Sequence, residues 1–257
     1  MKNKMDSFKR LLDIMDELRA KCPWDREQTF ESLRNLTIEE TFELADAVSD
    51  GNTTEIKKEL GDLLLHIVFY AKIASEKNAF DISGVIDTLC EKLIYRHPHV
   101  FGDVNVDSSS DVEKNWEELK QREGTGNVLA GVPKGLPALI KANRVQEKVR
   151  AVGFDWDVRE QIWNKIDEEM NELKVEIKAG NSAEIEKEFG DLLFSIVNAA
   201  RLYDVDPETA LEKTNRKFIN RFNYLEERTL KRGLSLKEMN LDEMNSIWEQ
   251  AKKFDSD

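Results

Sequence analysis

Five carboxylates recur at identical spacing in two places along this chain. Glu39, Glu40 and Glu43 are followed by Glu59 and Asp62, and 129 residues later Glu168, Glu169 and Glu172 are followed by Glu188 and Asp191. On a helix Glu40 and Glu43 stand at i, i+3 and Glu39 and Glu43 at i, i+4, so at least one pair projects from one face; Glu59 and Asp62 do the same on the next helix. Converging on one cleft, unneutralised carboxylates repel and raise one another's pKa values, and a cation is the natural remedy. Neither pattern contains a His or Cys, and oxygen-only ligation selects Mg²⁺ or Mn²⁺ over Zn²⁺. The Glu-x-x-His pattern of di-iron bundles is absent. One acid-rich helix is ordinarily a solvated face. Two helices at fixed spacing, repeated, with an apolar run starting directly after Asp62 and Asp191, argue for a site instead.

Cations repeat with the acids. Lys92-x-x-x-Arg96 matches Lys217-x-x-x-Arg221 at an offset of 125, and Trp116-Glu117-x-x-Lys120 matches Trp248-Glu249-x-x-Lys252 at 132. Alone these pairs would read as surface charge; beside an acidic metal site they suit an anionic ligand. Hard cations, carboxylates and Lys/Arg together suit phosphoryl chemistry, in which metals neutralise phosphate oxygens and acidify a water. There is no GxxxxGK[ST], so this is not a P-loop protein. These features point to a Mg²⁺-dependent phosphoanhydride hydrolase. The competing reading is a regulatory module in which one or both sites bind metal and nucleotide without turnover. His66 follows Asp62 by four residues, but Ser195 replaces it in the second copy, so it reads as a packed core histidine. His97 and His99 flank Pro98 in a loop and suit either substrate contact or structure. Trp116 and Trp248 read as core anchors, with a face open to a purine as the alternative.

The elements that must position these residues are helices. Residues 39–73 laid over 168–202 without a gap give 17 identities in 35, which marks an internal duplication. Phe8, Leu11, Leu12, Met15 and Leu18 predict a first helix that ends at Cys22-Pro23-Trp24-Asp25. A second amphipathic run from Ser32 carries the first acids, Asp50-Gly51-Asn52 supplies a turn, and a long helix covers Glu55 to about Lys77. Its apolar run Leu63–Tyr70 predicts burial on most sides. The second half repeats the order: a helix ending near Val152-Gly153, then Phe154-Asp155-Trp156-Asp157, an acidic helix to Ala179, a Gly180-Asn181 turn, and a long helix from Ala183 to about Tyr203. A short turn makes the acid-bearing helices antiparallel neighbours. Phe101–Ser110 and Gly124–Pro137 are rich in Gly, Pro, Ser and Asp and flank a short helix containing Trp116. No alternating strand pattern stands out, although Val104-Asn105-Val106 leaves room for a minor strand. The expected fold is all-α: two tandem helical bundles, residues 1–123 and 136–257, joined by a linker at 124–135.

A length of 257 residues accommodates two such domains. The net charge of −13 argues against a nucleic-acid or anionic-membrane surface, since a polyanion is repelled at long range. Cys22 and Cys90 are too few for a disulfide framework. The N-terminus has no apolar core, and no stretch approaches the length of a membrane span. The expectation is a soluble, cytoplasmic protein.

Glu-Glu-x-x-Glu followed by Glu-x-x-Asp resembles the signature of the all-α nucleoside triphosphate pyrophosphohydrolases, and the chain is similar to the tandem-domain MazG proteins among them. The resemblance extends through Cys22-Pro23-Trp24-Asp25 with Gln28-Thr29, Arg96-His97-Pro98-His99-Val100-Phe101-Gly102, Gly131-Val132-Pro133 with Leu136-Pro137-Ala138-Leu139, Val152-Gly153-Phe154-Asp155-Trp156, and Asn215-x-Lys217-Phe218. It implies hydrolysis of nucleoside triphosphates between the α and β phosphates, broad base tolerance, a role in clearing unwanted nucleotides, Mg²⁺, and a homodimer. It also implies metal ligands at Glu169, Glu172, Glu188 and Asp191, with substrate contacts at Glu168, Lys187, Lys217, Arg221 and Trp248. In the first half the matching ligands are Glu40, Glu43, Glu59 and Asp62, with Glu39, Lys92, Arg96 and Lys120 as substrate contacts. Ile94-Tyr95 stand before His97-Pro98-His99 where family members often carry basic residues.

Overall fold

A computed structural model of the chain describes residues 3–106, 108, 112, 115, 116, 119, 127–231 and 233–254. Among the described residues there are helices and turns and no strand, so Val104-Asn105-Val106 is irregular backbone. The chain divides into two compact units, Met1–Val112 and Glu113–Asp257. This division falls ahead of the 124–135 segment read as a linker, and it groups Trp116 with the second unit. Most of the short helix expected around Trp116 lies outside the described residues.

In the first unit α1 (Lys4–Lys21) opens at Asn3, whose side chain accepts a hydrogen bond from the Met5 N–H. It stops at the extended Cys22, ahead of Pro23. Pro23 then starts a short helix, α2 (Pro23–Glu27), because proline's missing N–H is not needed at a first helical position. Reciprocal capping between Thr29 and Ser32 opens α3 (Phe30–Ser49). Asn52 caps α4 (Thr53–Glu76) by accepting from the N–H groups of Thr54 and Glu55. Between them Gly51 sits at φ +64°, a left-handed conformation that only glycine adopts without steric cost, and the chain doubles back there. Asp81 caps α5 (Ile82–Arg96), and a four-residue helix, α6 (Pro98–Phe101), follows. The core of this unit gathers Met15, Leu33, Val68, Phe69 and Ile73, with Phe8, Leu11, Leu12, Phe30, Leu36, Tyr70 and Ile82 packed around them. Each large apolar side chain removed from water there contributes about 1.5–3 kcal/mol.

The second unit repeats the plan with α7 (Ala138–Arg150), α8 (Ile162–Ala179) and α9 (Ser182–Leu202), then α10 (Pro207–Lys231) and α11 (Leu241–Ala251). Gly180 closes α8 at φ +73°, so the left-handed glycine recurs with the acids. The buried apolar positions include Ile162, Leu173, Leu192, Val197, Leu225 and Ile247. Polar groups are interleaved: Gln146 donates to the Phe194 carbonyl at 2.9 Å, and the buried Thr229 hydroxyl donates to Leu225.

In both units the tightest packing is between the acid-bearing helices, α3 on α4 and α8 on α9. One expectation is corrected here. The apolar run of α4 is buried on one side only: His66, Val68 and Phe69 are inside, whereas Leu64 and Ile67 are exposed. Leu60, Leu64 and Ile67 stand at i, i+4, i+7 and form an exposed apolar stripe, and the repeat places Phe189, Leu193 and Ile196 on α9 in the same exposed register.

Candidate functional site

Antiparallel pairing of α3 with α4 brings oxygen atoms of Glu40, Glu43 and Glu59 within 4.8 Å of one another, and pairing of α8 with α9 does the same for Glu169, Glu172 and Glu188. In each triplet the outermost acid, Glu43 or Glu172, is exposed, and the acid from the second helix, Glu59 or Glu188, is buried. Asp62 and Asp191 stand one turn further along and are felt electrostatically. Burial first, then the charges of Asp62, Glu43 and Glu59, push the Glu40 carboxyl above its ordinary pKa. Burial likewise raises Glu188, with Glu172, Asp191 and Glu169 adding to the effect and Lys187 opposing it. Glu39 and Glu168 lie on the exposed side of their helices.

The donor set is all oxygen, drawn from two helices, and suits a hard divalent cation. A second feature favours the same fit. Glu59 is 3% exposed, and its Oε2 is buried without a hydrogen-bond partner. A buried carboxylate oxygen without a partner is costly, and a coordinated cation would satisfy it.

Three lysines border the clusters. The Lys58 ammonium is 2.7 Å from Glu59 Oε1, and its repeat mate Lys187 is 3.7 Å from Glu188 Oε1. Lys165 has no basic repeat mate; its ammonium lies 2.7 Å from Glu168 Oε1 and 2.8 Å from Glu169 Oε1, and those hydrogen bonds raise its pKa. Sequence reasoning singled out Lys187 and missed Lys58 and Lys165. The first was visible as an identity within the repeat, and the second as a lysine three and four residues ahead of two acids on one helix.

The expected cations lie on α5 and α10. Lys92 and Lys217 are exposed, and among the described residues neither is ion-paired to the acids of its half. Arg96 is half-buried at the end of α5, and Arg221 lies with its guanidinium 5.6 Å from the centre of the Trp248 ring. Trp248 also packs against Phe218, ring centres 5.0 Å apart, so Lys217, Phe218 and Arg221 of α10 and Trp248 of α11 form one cationic and aromatic patch. Lys120 lies outside the described residues. His97 Nδ1 is 2.7 Å from the Leu93 carbonyl, and its ring is 5.6 Å from that of His99.

His66 is a core residue, as expected. It is 7% exposed, its Nδ1 is 3.0 Å from the Thr37 hydroxyl, and that hydroxyl is 2.7 Å from the Tyr70 hydroxyl. Burial lowers its pKa against the opposing charge of Asp62. Ile166, Ser195 and Ala199 stand at the repeat positions of Thr37, His66 and Tyr70, so this polar group belongs to the first unit alone.

Residues 28–101 and 159–225 each match the MazG nucleotide pyrophosphohydrolase domain, and each matched stretch contains one acid cluster. The chain is 47% identical, over 95% of its length and 95% of the relative's, to a Thermotoga maritima protein named nucleoside triphosphate pyrophosphohydrolase/pyrophosphatase MazG. It is 39% identical, over 98% of its length and 100% of the relative's, to the nucleoside triphosphate pyrophosphohydrolase of Escherichia coli. The crystal structure of a mazG-related protein from Thermotoga maritima aligns with 44% of this chain and 98% of its own at 30% identity, with a TM-score of 0.39. With the domain matched twice and full-length relatives at this identity, the chain belongs to the MazG family and carries its domain in tandem.

Proposed function

We propose that this protein hydrolyses ribo- and deoxyribonucleoside triphosphates to the monophosphate and pyrophosphate, with Mg²⁺ as the resident ion and Mn²⁺ as a substitute. The observation that carries the reading is the paired carboxylate triplet in a chain whose full-length relatives bear the corresponding name. Glu40, Glu43, Glu59 and Asp62 in one half, and Glu169, Glu172, Glu188 and Asp191 in the other, would hold the metal. Bound there, the ion supplies neutralisation of phosphate oxygens and acidification of a water. Around it the protein's own groups bind and orient. Lys217 and Arg221 hold the polyphosphate, Glu168 and Lys187 border it, and Trp248 offers a flat apolar face to the base. Glu39, Lys92, Arg96 and Lys120 have the corresponding duties in the first half. One water is consumed as the α–β anhydride bond breaks. The C-terminal site is active and the N-terminal site active or supporting.

Two halves spanning 1–123 and 136–257, a homodimeric assembly and a cytoplasmic role in clearing unwanted nucleotides complete the proposal. No described helix is long and apolar enough to cross a membrane. The test is product analysis across a panel of nucleoside triphosphates with Mg²⁺ and with chelator. Monophosphate and pyrophosphate, lost on chelation, are expected. Diphosphate and orthophosphate would contradict the assigned bond, and metal-dependent nucleotide binding without turnover would favour a regulatory module.

A further inference from the structure

The two acid clusters are repeats of one another in carboxylates but not in resident positive charge. Lys58 and Lys187 occupy the same repeat position, so each cluster has one neighbouring ammonium from its second helix. Lys165 adds another to the C-terminal cluster alone, because Leu36, at the same position of α3, is packed into the core of the first unit. Among the described residues five acids are therefore accompanied by one ammonium in the first half and by two in the second.

The contacts differ accordingly. Lys165 lies within hydrogen-bond distance of Glu169, a buried member of the triplet, while Glu168 holds the same ammonium from the other side. In the first half the one ammonium that the described residues place in the cluster bonds Oε1 of Glu59 and leaves Oε2 buried and unsatisfied. No carboxylate oxygen of the second cluster is orphaned in this way among the described residues. Each half thus has one triplet carboxylate paired to a lysine, Glu59 to Lys58 and Glu169 to Lys165, but an entering divalent ion meets a buried, uncompensated oxygen in the first half and an additional tethered ammonium in the second. Lysine suits that role, since its compact charge sits on a flexible stem that can swing away without moving the helix.

We infer that Lys165 is a built-in counter-ion standing where divalent metal would act on Glu169, so that the N-terminal site fills with metal at lower concentration than the C-terminal site. The inference rests on the reading of both clusters as metal sites. Removing one partly exposed unit charge beside a bound cation corresponds to about a three- to tenfold change in metal affinity.

Binding of Mn²⁺ to the nucleotide-free full chain, followed by the paramagnetic signal of the free ion, tests it. Two classes of site are expected, the tighter lost in Glu43→Gln and the weaker lost in Glu172→Gln. Lys165→Met should tighten the weaker class about three- to tenfold and leave the other unchanged, whereas Lys165→Arg, which keeps the charge, should leave it weak. Equal classes, the reverse order, or a weaker class unmoved by Lys165→Met would overturn the counter-ion role. If neither Glu→Gln variant removed a class, the metal-site reading itself would fail, an outcome distinct from failure at Lys165. Circular dichroism of each variant verifies that the helices are intact.

Discussion

At the scale of single residues, a carboxylate placed among other carboxylates titrates against its own fold. Glu40 has a folded-state pKa raised by burial and by Asp62, Glu43 and Glu59. As pH rises past the ordinary carboxylate value of about 4.3, the unfolded chain gives up this proton first, so the metal-free fold loses stability up to the raised value. Glu188 behaves alike in the second unit. Glu40→Gln should therefore stabilise the metal-free protein at neutral pH by about 0.5–1 kcal/mol, seen as a higher melting temperature in chelator, while reducing the gain on adding Mg²⁺. A lower melting temperature in chelator would mean that Glu40 is held by favourable contacts rather than by repulsion. The cations follow a different logic. Arg221 stacks on Trp248 and is half-buried, so its loss should cost at most about 1 kcal/mol of stability. Its loss from a polyphosphate contact should lower kcat/KM about ten- to a hundredfold. Unchanged kcat/KM in Arg221→Ala would remove it from the site.

At the scale of elements, both units fasten the segment ahead of the acid-bearing helix with an arginine, half-buried in the first unit and buried in the second, but from different helices. Arg19 of α1 pairs with Glu76 on α4 and donates to the Asp25 and Gln28 carbonyls, tying down the end of α2. Arg201 of α9 instead reaches Asp155 at 2.5 and 3.0 Å and Asn198 at 2.7 Å. Burial alone would raise the Asp155 carboxyl; hydrogen bonds from Arg201 and the Trp156 N–H, with the charges of Arg201 and Arg150, bring it below the ordinary range. A depressed carboxylate pKa contributes stability that is present above the unfolded value of about 3.9 and lost as pH falls through the folded one. Asp155→Ala should then cost about 2–4 kcal/mol at neutral pH by leaving the buried Arg201 charge without its ion pair, with only Asn198 to accept from it. Melting curves of the two proteins should draw together below pH 4, and a constant gap would assign the effect to packing. None of this was legible in the sequence, because Asp155 and Arg201 are far apart in the chain and nothing local marks them as partners. The α3–α4 and α8–α9 hairpins were legible, since apolar period, turn glycine and repeat agree there. So was the convergence of acids from two antiparallel helices, although spacing alone left all five acids of each half as candidates for the cleft, of which Glu40, Glu43 and Glu59, and Glu169, Glu172 and Glu188, form the triplets. Lys58 and Lys165 were not singled out, since lysines beside glutamates are ordinary on helix surfaces. Pro23, read as an interruption, also starts α2.

At the scale of the molecule, the duplication repeats a surface as well as a site. Leu60, Leu64 and Ile67 are 54%, 38% and 48% exposed, and their repeat mates Phe189, Leu193 and Ile196 are 48%, 56% and 46% exposed, each set at i, i+4, i+7 on the helix that bears the buried acid. The sequence indicated that these runs were apolar; it could not distinguish core from a face reserved for a second copy, because both require the same residues. Contiguous apolar stripes of this kind on a chain of net charge −13 are suited to association. The homodimer proposed above would cover them, and a two-fold interface would present every substitution twice. Leu193→Asp should then raise the dimer dissociation constant well beyond about tenfold, since burying one leucine is worth about 1.5–3 kcal/mol and the charge adds a desolvation cost at both copies. Sedimentation at micromolar concentration should show wild type as dimer and the variant shifted to monomer, with the helical signal retained. Wild type sedimenting as a monomer would remove the homodimer from the proposal. A dimer unmoved by either Leu193→Asp or Leu64→Asp would place the interface elsewhere.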